Sequence, residues 1–232
     1  MLTYHLTVTS ALQAVARLAR ISPYVVVITV PTDQAERVAM KQVGRYPIIS
    51  ASHTARSALR KAEMPAIQLV VMPPMGGQVS LLLMSNVPPP DTRETWENAL
   101  TAPLIWRNYA LCLAPDGRVT WRLSQPARER YTRRLDTLIK GRGAQQAGKR
   151  SYVPPPDTAH ARVLDLATHL LRYPGLSGIR SDVFTLAQYS TRIWCATHPR
   201  RPYPVWPRMP YLRFTRPQTA PLAALSIPGD TI

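Results

Sequence analysis

Acidic side chains are scarce in this chain of 232 residues: Asp and Glu number 13 against 29 Lys and Arg, a formal net charge of +16. The carboxylates are scattered, so no cluster is available to hold a pair of metal ions for hydrolysis. Lysine is scarce too. Only four of the basic residues are lysine, so the positive charge is nearly all arginine. Cysteine occurs twice, at Cys112 and Cys195. That excludes a zinc-ligand array and a disulfide framework, and it fits a reducing cytoplasm. No apolar run reaches the length needed to cross a bilayer, so no membrane partner is expected. No basic segment followed by an apolar stretch marks a signal peptide at the N-terminus. The phosphate-cradling Walker loop, the dinucleotide fingerprint and the zincin helix are also missing. No metal and no cofactor is expected, and a nuclease built on this chain would have to be metal-independent.

What is present is apolar residue at 45%, enough for a packed core, and an arginine excess. Guanidinium groups offer a planar fork of donors to phosphate and stack on bases, so the composition points to nucleic acid. An acidic protein partner fits the same charge.

The organising stretch is Arg45-Tyr-Pro-Ile-Ile-Ser-Ala-Ser-His-Thr-Ala-Arg-Ser-Ala-Leu-Arg60. Pro47 holds the residue before it extended. Ser50 and Ser52 are candidate N-caps for a helix that begins at His53. Ala55, Ala58, Leu59 and Ala62 share one side of it, with Arg56, Arg60 and Lys61 around the other. A helix start among arginines is a phosphate site by its chemistry; the same spacing fits a solvated surface helix.

Upstream, residues 2–8 alternate as a strand, Ser10 caps a helix over 11–20, and Tyr24–Val30 is a β-branched run that reads as a buried central strand. Residues 32–44 are a polar, partly helical connection. Ala66–Met72 and Gln78–Met84 read as a hairpin closed by Gly76 and Gly77. Val87-Pro-Pro-Pro-Asp-Thr92 recurs at 153–158, each time as a stiff lead-in with Asp91 or Asp157 as a cap, and Glu94 completing a capping box with Asp91. Trp96, Leu100 and Leu104 predict a short helix. Ile105–Leu113 and Arg118–Leu123 predict a hairpin around Pro115-Asp-Gly117. Trp106 and Trp121 on these strands are core rings or, with Arg107 and Arg122 beside them, base-stacking rings.

Pro126–Lys140 is a basic helix with Tyr131, Leu135 and Leu138 on one face and Arg128, Arg130, Arg133 and Arg134 elsewhere. A basic loop with Arg142, Lys149 and Arg150 follows. Thr158–Tyr173 and Arg180–Cys195 predict an αα-hairpin. Residues 196–232 are a Pro- and Arg-rich strap, frayed over the last dozen. The fold class is therefore α+β. A ferredoxin-like (RRM-like) domain is expected over 1–86, a hairpin, basic helix and basic loop over 87–152, and the αα-hairpin and strap over 153–232.

The run from Pro47 to Arg60, a proline, two serines, small residues and then Leu-Arg, resembles a signature of the repeat-associated RNA-binding proteins of CRISPR systems. It covers about 15 of 232 residues, and Ala51 and Ser57 stand where that family has glycines. With the arginine-rich helical second half, the chain looks most like the precursor-CRISPR-RNA-processing endoribonucleases of plasmid-borne type IV systems. The resemblance implies recognition of an RNA stem-loop, metal-independent attack of a ribose 2′-hydroxyl to leave a 2′,3′-cyclic phosphate, and retention of the guide RNA beside other effector subunits. It places Arg20 and Arg37 near the scissile phosphate. His53, among Arg45, Arg56 and Arg60, is the candidate for acid–base work. Arg17, Arg45, Arg56, Arg60, Arg128, Arg130, Arg133, Arg134, Arg142, Lys149 and Arg150 are the residues expected to bind RNA. The alternatives are a non-catalytic guide-RNA-binding subunit and a DNA-binding accessory of a plasmid or integrative element.

Overall fold

The computed structural model describes residues 2–90, 92–141, 153–212 and 216–225. They are α+β, and they divide into two units. One falls within Met1–Leu104, Leu111–Val119 and Phe214–Ile232; the other falls within Ile105–Ala110 and Thr120–Arg213. Residues 87–104, grouped above with the second segment, lie in the first unit.

The first unit opens with strand β1 (Thr3–His5), helix α1 (Val8–Ala19) and strand β2 (Tyr24–Pro31). The helix begins earlier than the sequence predicts: Thr7 is its cap and accepts from the Ser10 amide at 3.2 Å. Ser10 is taken by a long-range role instead. Its buried hydroxyl lies 2.8 Å from His5 Nδ1 and accepts from the Gln218 amide at 2.9 Å. Helix α2 (Ala35–Arg45), a short 3-10 turn at Pro47–Ser50 and helix α3 (His53–Lys61) follow. Ser52 caps α3 by accepting from the Ala55 amide at 3.1 Å.

Strands β3 (Gln68–Val71) and β4 (Gln78–Ser85) are joined through Gly76 and Gly77, both at positive φ. With β2 and the two-residue β5 (Glu97–Asn98) they form an antiparallel sheet in the order β3-β4-β2-β5. β4 has a strand on each side, and Leu81 to Ser85 are all buried. β2 is a correction. Only Tyr24 and Val25 have β5 as a second neighbour, and Val27, Thr29 and Pro31 are not buried, so the buried central strand is β4. The first strand stands outside this sheet, in a two-stranded ladder with β9 (Thr219–Pro221), whose number follows the three strands β6 to β8 described below. The C-terminal stretch is not frayed there. Leu222, next to β9, is 1% exposed and packs with Ala35, Ala39, Val71, Val79 and Leu81. Burying such a side chain stabilises by roughly 2 kcal/mol, which offsets the ordering of a short tail.

Residues 96–104 form no helix. The Asn98 side chain accepts from the Leu100 amide at 3.0 Å, and its carbonyl accepts from the Thr101 and Ala102 amides at 3.1 and 2.8 Å. An Asx-type turn thereby captures the amides that a helix would use. Asp91 lies outside the described residues. Glu94 instead accepts from Arg45 and, at 3.2 Å, from the Tyr46 hydroxyl.

Strands β6 (Ile105–Trp106), β7 (Tyr109–Leu113) and β8 (Val119–Leu123) come next. β6 pairs with the start of β7, and the turn toward β8 has Gly117 at φ +76°. Trp121 is 0% and Trp106 4% exposed, so neither ring is a stacking platform; truncating either would cost about 3–5 kcal/mol. Residues 111–119 of the β7–β8 hairpin fall in the first unit; the second unit carries helices α4 (Gln125–Lys140), α5 (Pro156–Leu170) and α6 (Ser177–Thr197). Their faces follow the predicted period at Tyr131, Leu135, Val163, Leu166, Val183, Leu186 and Trp194, all buried, but on α4 Ile139 takes the buried place expected of Leu138, which is only half-buried. Asp157 is not a cap. It sits in the first turn of α5, behind Pro155 and Pro156. Within this unit the strap over 198–212 is fixed to α6. Trp194 Nε1 donates to the Arg201 carbonyl at 3.2 Å, and the Tyr203 hydroxyl donates to the Ala187 carbonyl at 3.3 Å.

Candidate nucleic-acid interface

The side chains expected to bind RNA fall into two physical groups. The first is used by the fold. Arg45 pairs with Glu94. Arg56 folds back onto its own turn, donating to the carbonyls of Ala51 and Ile49. It braces the 3-10 segment that leads into α3. Arg122 is held by the buried Asp182 carboxylate, Nη2 to Oδ1 at 2.7 Å, and Arg128 approaches the same oxygen at 4.0 Å. Arg45 and Arg56 are thereby engaged within the fold, whereas Arg128, with its side chain 37% exposed, also lines a depression beside α4.

The second group projects from helix faces. Arg130, Arg133 and Arg134 are exposed on α4. The Arg133 and Arg134 side chains have no ion-pair or hydrogen-bond partner among the described residues. Arg130 lies over the Tyr131 ring, 5.2 Å from its centroid, and donates to Asn108 Oδ1 at 3.3 Å. Beside them a depression of about 440 Å³ is lined by Gln125, Arg128, Glu129, Thr132 and Arg133. In the first unit Arg17 and Arg20 are exposed at the end of α1, and Arg60 is half-buried in the last turn of α3. Arg142, Lys149 and Arg150 lie outside the described residues.

Two of the three expected catalytic residues, Arg20 and Arg37, lie toward opposite ends of β2. Arg20 precedes the start of β2, and Arg37 follows its end. Eight extended residues separate those ends by roughly 23 Å. Arg37 donates to Gln34 Oε1 at 3.3 Å. His53 is exposed on the first turn of α3, with no ring hydrogen bond among the described residues.

A different histidine is held in position. Tyr131 Oη lies 3.2 Å from His169 Nε2 and 2.7 Å from Tyr173 Oη. Asn108 Nδ2 donates to Tyr173 Oη at 3.0 Å. An amide NH2 can only donate, and Arg130 fixes the amide's orientation through its oxygen. Every proton is used when Tyr173 donates to Tyr131 and Tyr131 donates to His169 Nε2. That order leaves the imidazole proton on Nδ1. Tyr109 and Tyr173 stay protonated at neutral pH. Burial, then the neighbouring Tyr131, pushes Tyr109 up to about 12, and burial with the Tyr131 hydrogen bond likewise raises Tyr173. His169 itself is exposed. The constellation draws on residues 108, 131, 169 and 173, whose separation in sequence hid it; the only local sign was His169 at the end of an amphipathic helix.

Among the described residues no group of three or more His, Cys, Asp or Glu is placed to hold a metal ion, and no helix is long and apolar enough to cross a membrane. No family model matches the chain, and no curated protein or solved structure is significantly similar to it.

Proposed function

We propose that the protein is an RNA-binding protein that recognises a stem-loop in precursor CRISPR RNA, cleaves beside it without a metal ion, and stays on the product in a cytoplasmic effector complex. The observation that carries the binding half is the run of exposed guanidinium groups on α4, Arg130, Arg133 and Arg134, in a chain of net charge +16. The helix presents them within about two turns, a spacing comparable with successive phosphates. The Pro47–Arg60 signature supports the repeat-associated identity. The antiparallel sheet of the first unit supports an α+β reading of residues 1–86, and a ferredoxin-like reading requires a rearranged form, because β1 pairs with β9 and stands outside that sheet.

Cleavage requires a base for the 2′-hydroxyl, an acid for the leaving oxygen and cations for the phosphorane. His169, hydrogen-bonded to Tyr131, whose ring also carries Arg130, is our candidate for the acid–base group in place of His53. Arg20 and Arg37 then serve binding. The separation of those two arginines favours a second reading, a guide-RNA-binding subunit that does not cleave. The deciding experiment incubates the purified protein with a labelled repeat hairpin in EDTA. A product ending in a 2′,3′-cyclic phosphate supports the endoribonuclease. Tight, salt-dependent binding without a product supports the subunit. No preference for RNA over DNA removes both.

A further inference from the structure

The second unit carries a groove that the stem-binding face does not use. It has a volume of about 790 Å³ and lies between α6 and the strap. Phe184 and Arg180 line it from the helix; Val205, Trp206 and Arg208 line it from the strap. Two features are unusual for a surface that only covers a core. First, large apolar groups are left in water: Phe184 is 63% and Val205 79% exposed, and Tyr211, which Arg180 touches, is 59%. Second, the Trp206 indole Nε1 is buried and has no hydrogen-bond partner among the described residues. A donor in that state costs roughly 1–3 kcal/mol unless an acceptor arrives.

The charge of the groove is one-sided. Arg180 and Arg208 line it, and no acidic side chain is among the described residues that do. Arg180 already lies over the Tyr211 ring, 5.4 Å from its centroid. Aromatic faces alternating with guanidinium groups suit a ligand that alternates flat rings and phosphates. An apolar protein segment would leave both cations without a counter-charge. The groove is also preformed. The Leu212 amide donates to the Gly175 carbonyl at 3.2 Å, and the Tyr203 and Trp194 bonds hold the strap from its other end.

We infer that this groove binds unpaired nucleotides of RNA, with bases stacked at Phe184 and Trp206 and phosphates held by Arg180 and Arg208. The inference rests on the RNA-binding reading and adds a single-strand subsite distinct from the α4 face. In a stem-loop substrate it would hold an unpaired flank, and register the cut by the distance from the stem.

The test measures fluorescence anisotropy with two probes at one salt concentration: a twelve-nucleotide oligouridylate and a blunt RNA hairpin. Phe184→Ala is the main variant, because an exposed side chain can be removed without unfolding the unit; far-UV circular dichroism checks this. Loss of one base stack is expected to weaken oligouridylate binding roughly 5- to 100-fold and leave the blunt hairpin within about twofold. Arg208→Ala is expected to weaken oligouridylate and flatten its salt dependence. Trp206→Phe is expected to abolish most of the fluorescence quenching that oligouridylate causes. Wild-type oligouridylate affinity in Phe184→Ala and Arg208→Ala would overturn the inference, and the groove would then be a protein-docking surface. In that case a blunt hairpin that still binds leaves the RNA reading standing. Failure of both probes to bind removes the reading and the inference together.

Discussion

Asp182 is the most consequential single side chain in the second unit, and its replacement gives a quantitative test of the architecture. It is 3% exposed and comes from α6, yet its partners belong to the approach to α4. Oδ2 accepts from the Leu123 amide at 2.8 Å, and Oδ1 accepts from Arg122 Nη2 at 2.7 Å. Leu123 is two residues before α4 begins, so this carboxylate fixes where the arginine-bearing helix starts against α6. Asp182→Ala removes two unequal things. The Leu123 amide is left buried without an acceptor, at about 1–3 kcal/mol. The Arg122 side chain is 42% exposed, so water compensates it and its loss adds only about 0–1 kcal/mol. The expected total is about 1–4 kcal/mol. Asp182→Asn keeps one acceptor for the amide and should cost about 1–2 kcal/mol. Arg122→Ala leaves the buried Asp182 carboxylate short of one donor, with the Leu123 amide still bonded to it, and should cost about 1–3 kcal/mol. Urea unfolding of the three variants, followed by far-UV circular dichroism with unchanged m-values, measures these differences. If Asp182→Asn proved as costly as Asp182→Ala, the energy would lie in the carboxylate charge and not in the acceptor for the buried amide, and the reasoning would fail.

Three further outcomes are expected. Replacing Arg133 and Arg134 together with Ala should weaken hairpin binding and reduce the slope of log K against log salt by about 0.7–0.9 for each phosphate no longer neutralised; an unchanged slope takes α4 out of the interface. Gly175→Ala places a Cβ against the Pro210 carbonyl oxygen, so it should destabilise by roughly 1–3 kcal/mol and expose the strap to protease, with a wild-type digestion pattern as the contrary result. His5 has its pKa lowered by burial first and by the Arg17 charge second, so the native state favours the neutral ring, and its share of stability is present above about pH 6.5 and lost as pH falls below that. Protection factors of the Thr219 and Ala220 amides, corrected for the intrinsic pH dependence of exchange, should therefore fall on acidification, and His5→Gln should flatten the dependence; pH-insensitive protection there would contradict it.

Local patterns decided what could be read in advance. The Gly76-Gly77 turn, the Ser52 cap and the amphipathic faces of α4, α5 and α6 depend on neighbours within one or two turns, and the sequence carries them openly. The misses share a different cause. Ser10 looks like a helix cap until the Gln218 amide, distant in sequence, takes its hydroxyl. Residues 96–104 have a helical apolar period, but Asn98 captures the first amides. β2 has the composition of a central strand, and only the pairing order shows that β4 holds that place. Trp106 and Trp121 carry the same letters whether they stack on bases or fill a core. His169 is one of five candidate histidines in the sequence, but the polar groups that orient it come from other segments of the chain, so nothing local sets it apart.

Arginine content alone therefore overstates the surface available to RNA, and the partition of these side chains is the more informative quantity. The few carboxylates are placed close to particular cations: Glu94 to Arg45, Asp116 to Arg118, Asp136 to Lys140, Asp182 to Arg122. Each such pair subtracts one local charge and leaves its neighbours unbalanced. On α4 the result is Arg133 and Arg134 side by side with no acid assigned to either, while Asp136 on the same helix is turned to Lys140 and to the Tyr189 hydroxyl at 2.7 Å. Arg130 and Arg134, four residues apart on the same helix, repel, and they weaken it unless a polyanion covers them. A phosphate backbone laid along that face would relieve the repulsion as it binds. Binding and stabilisation are then one linked event, and a short RNA duplex should raise the melting temperature of the wild type more than that of the Arg133/Arg134 double variant.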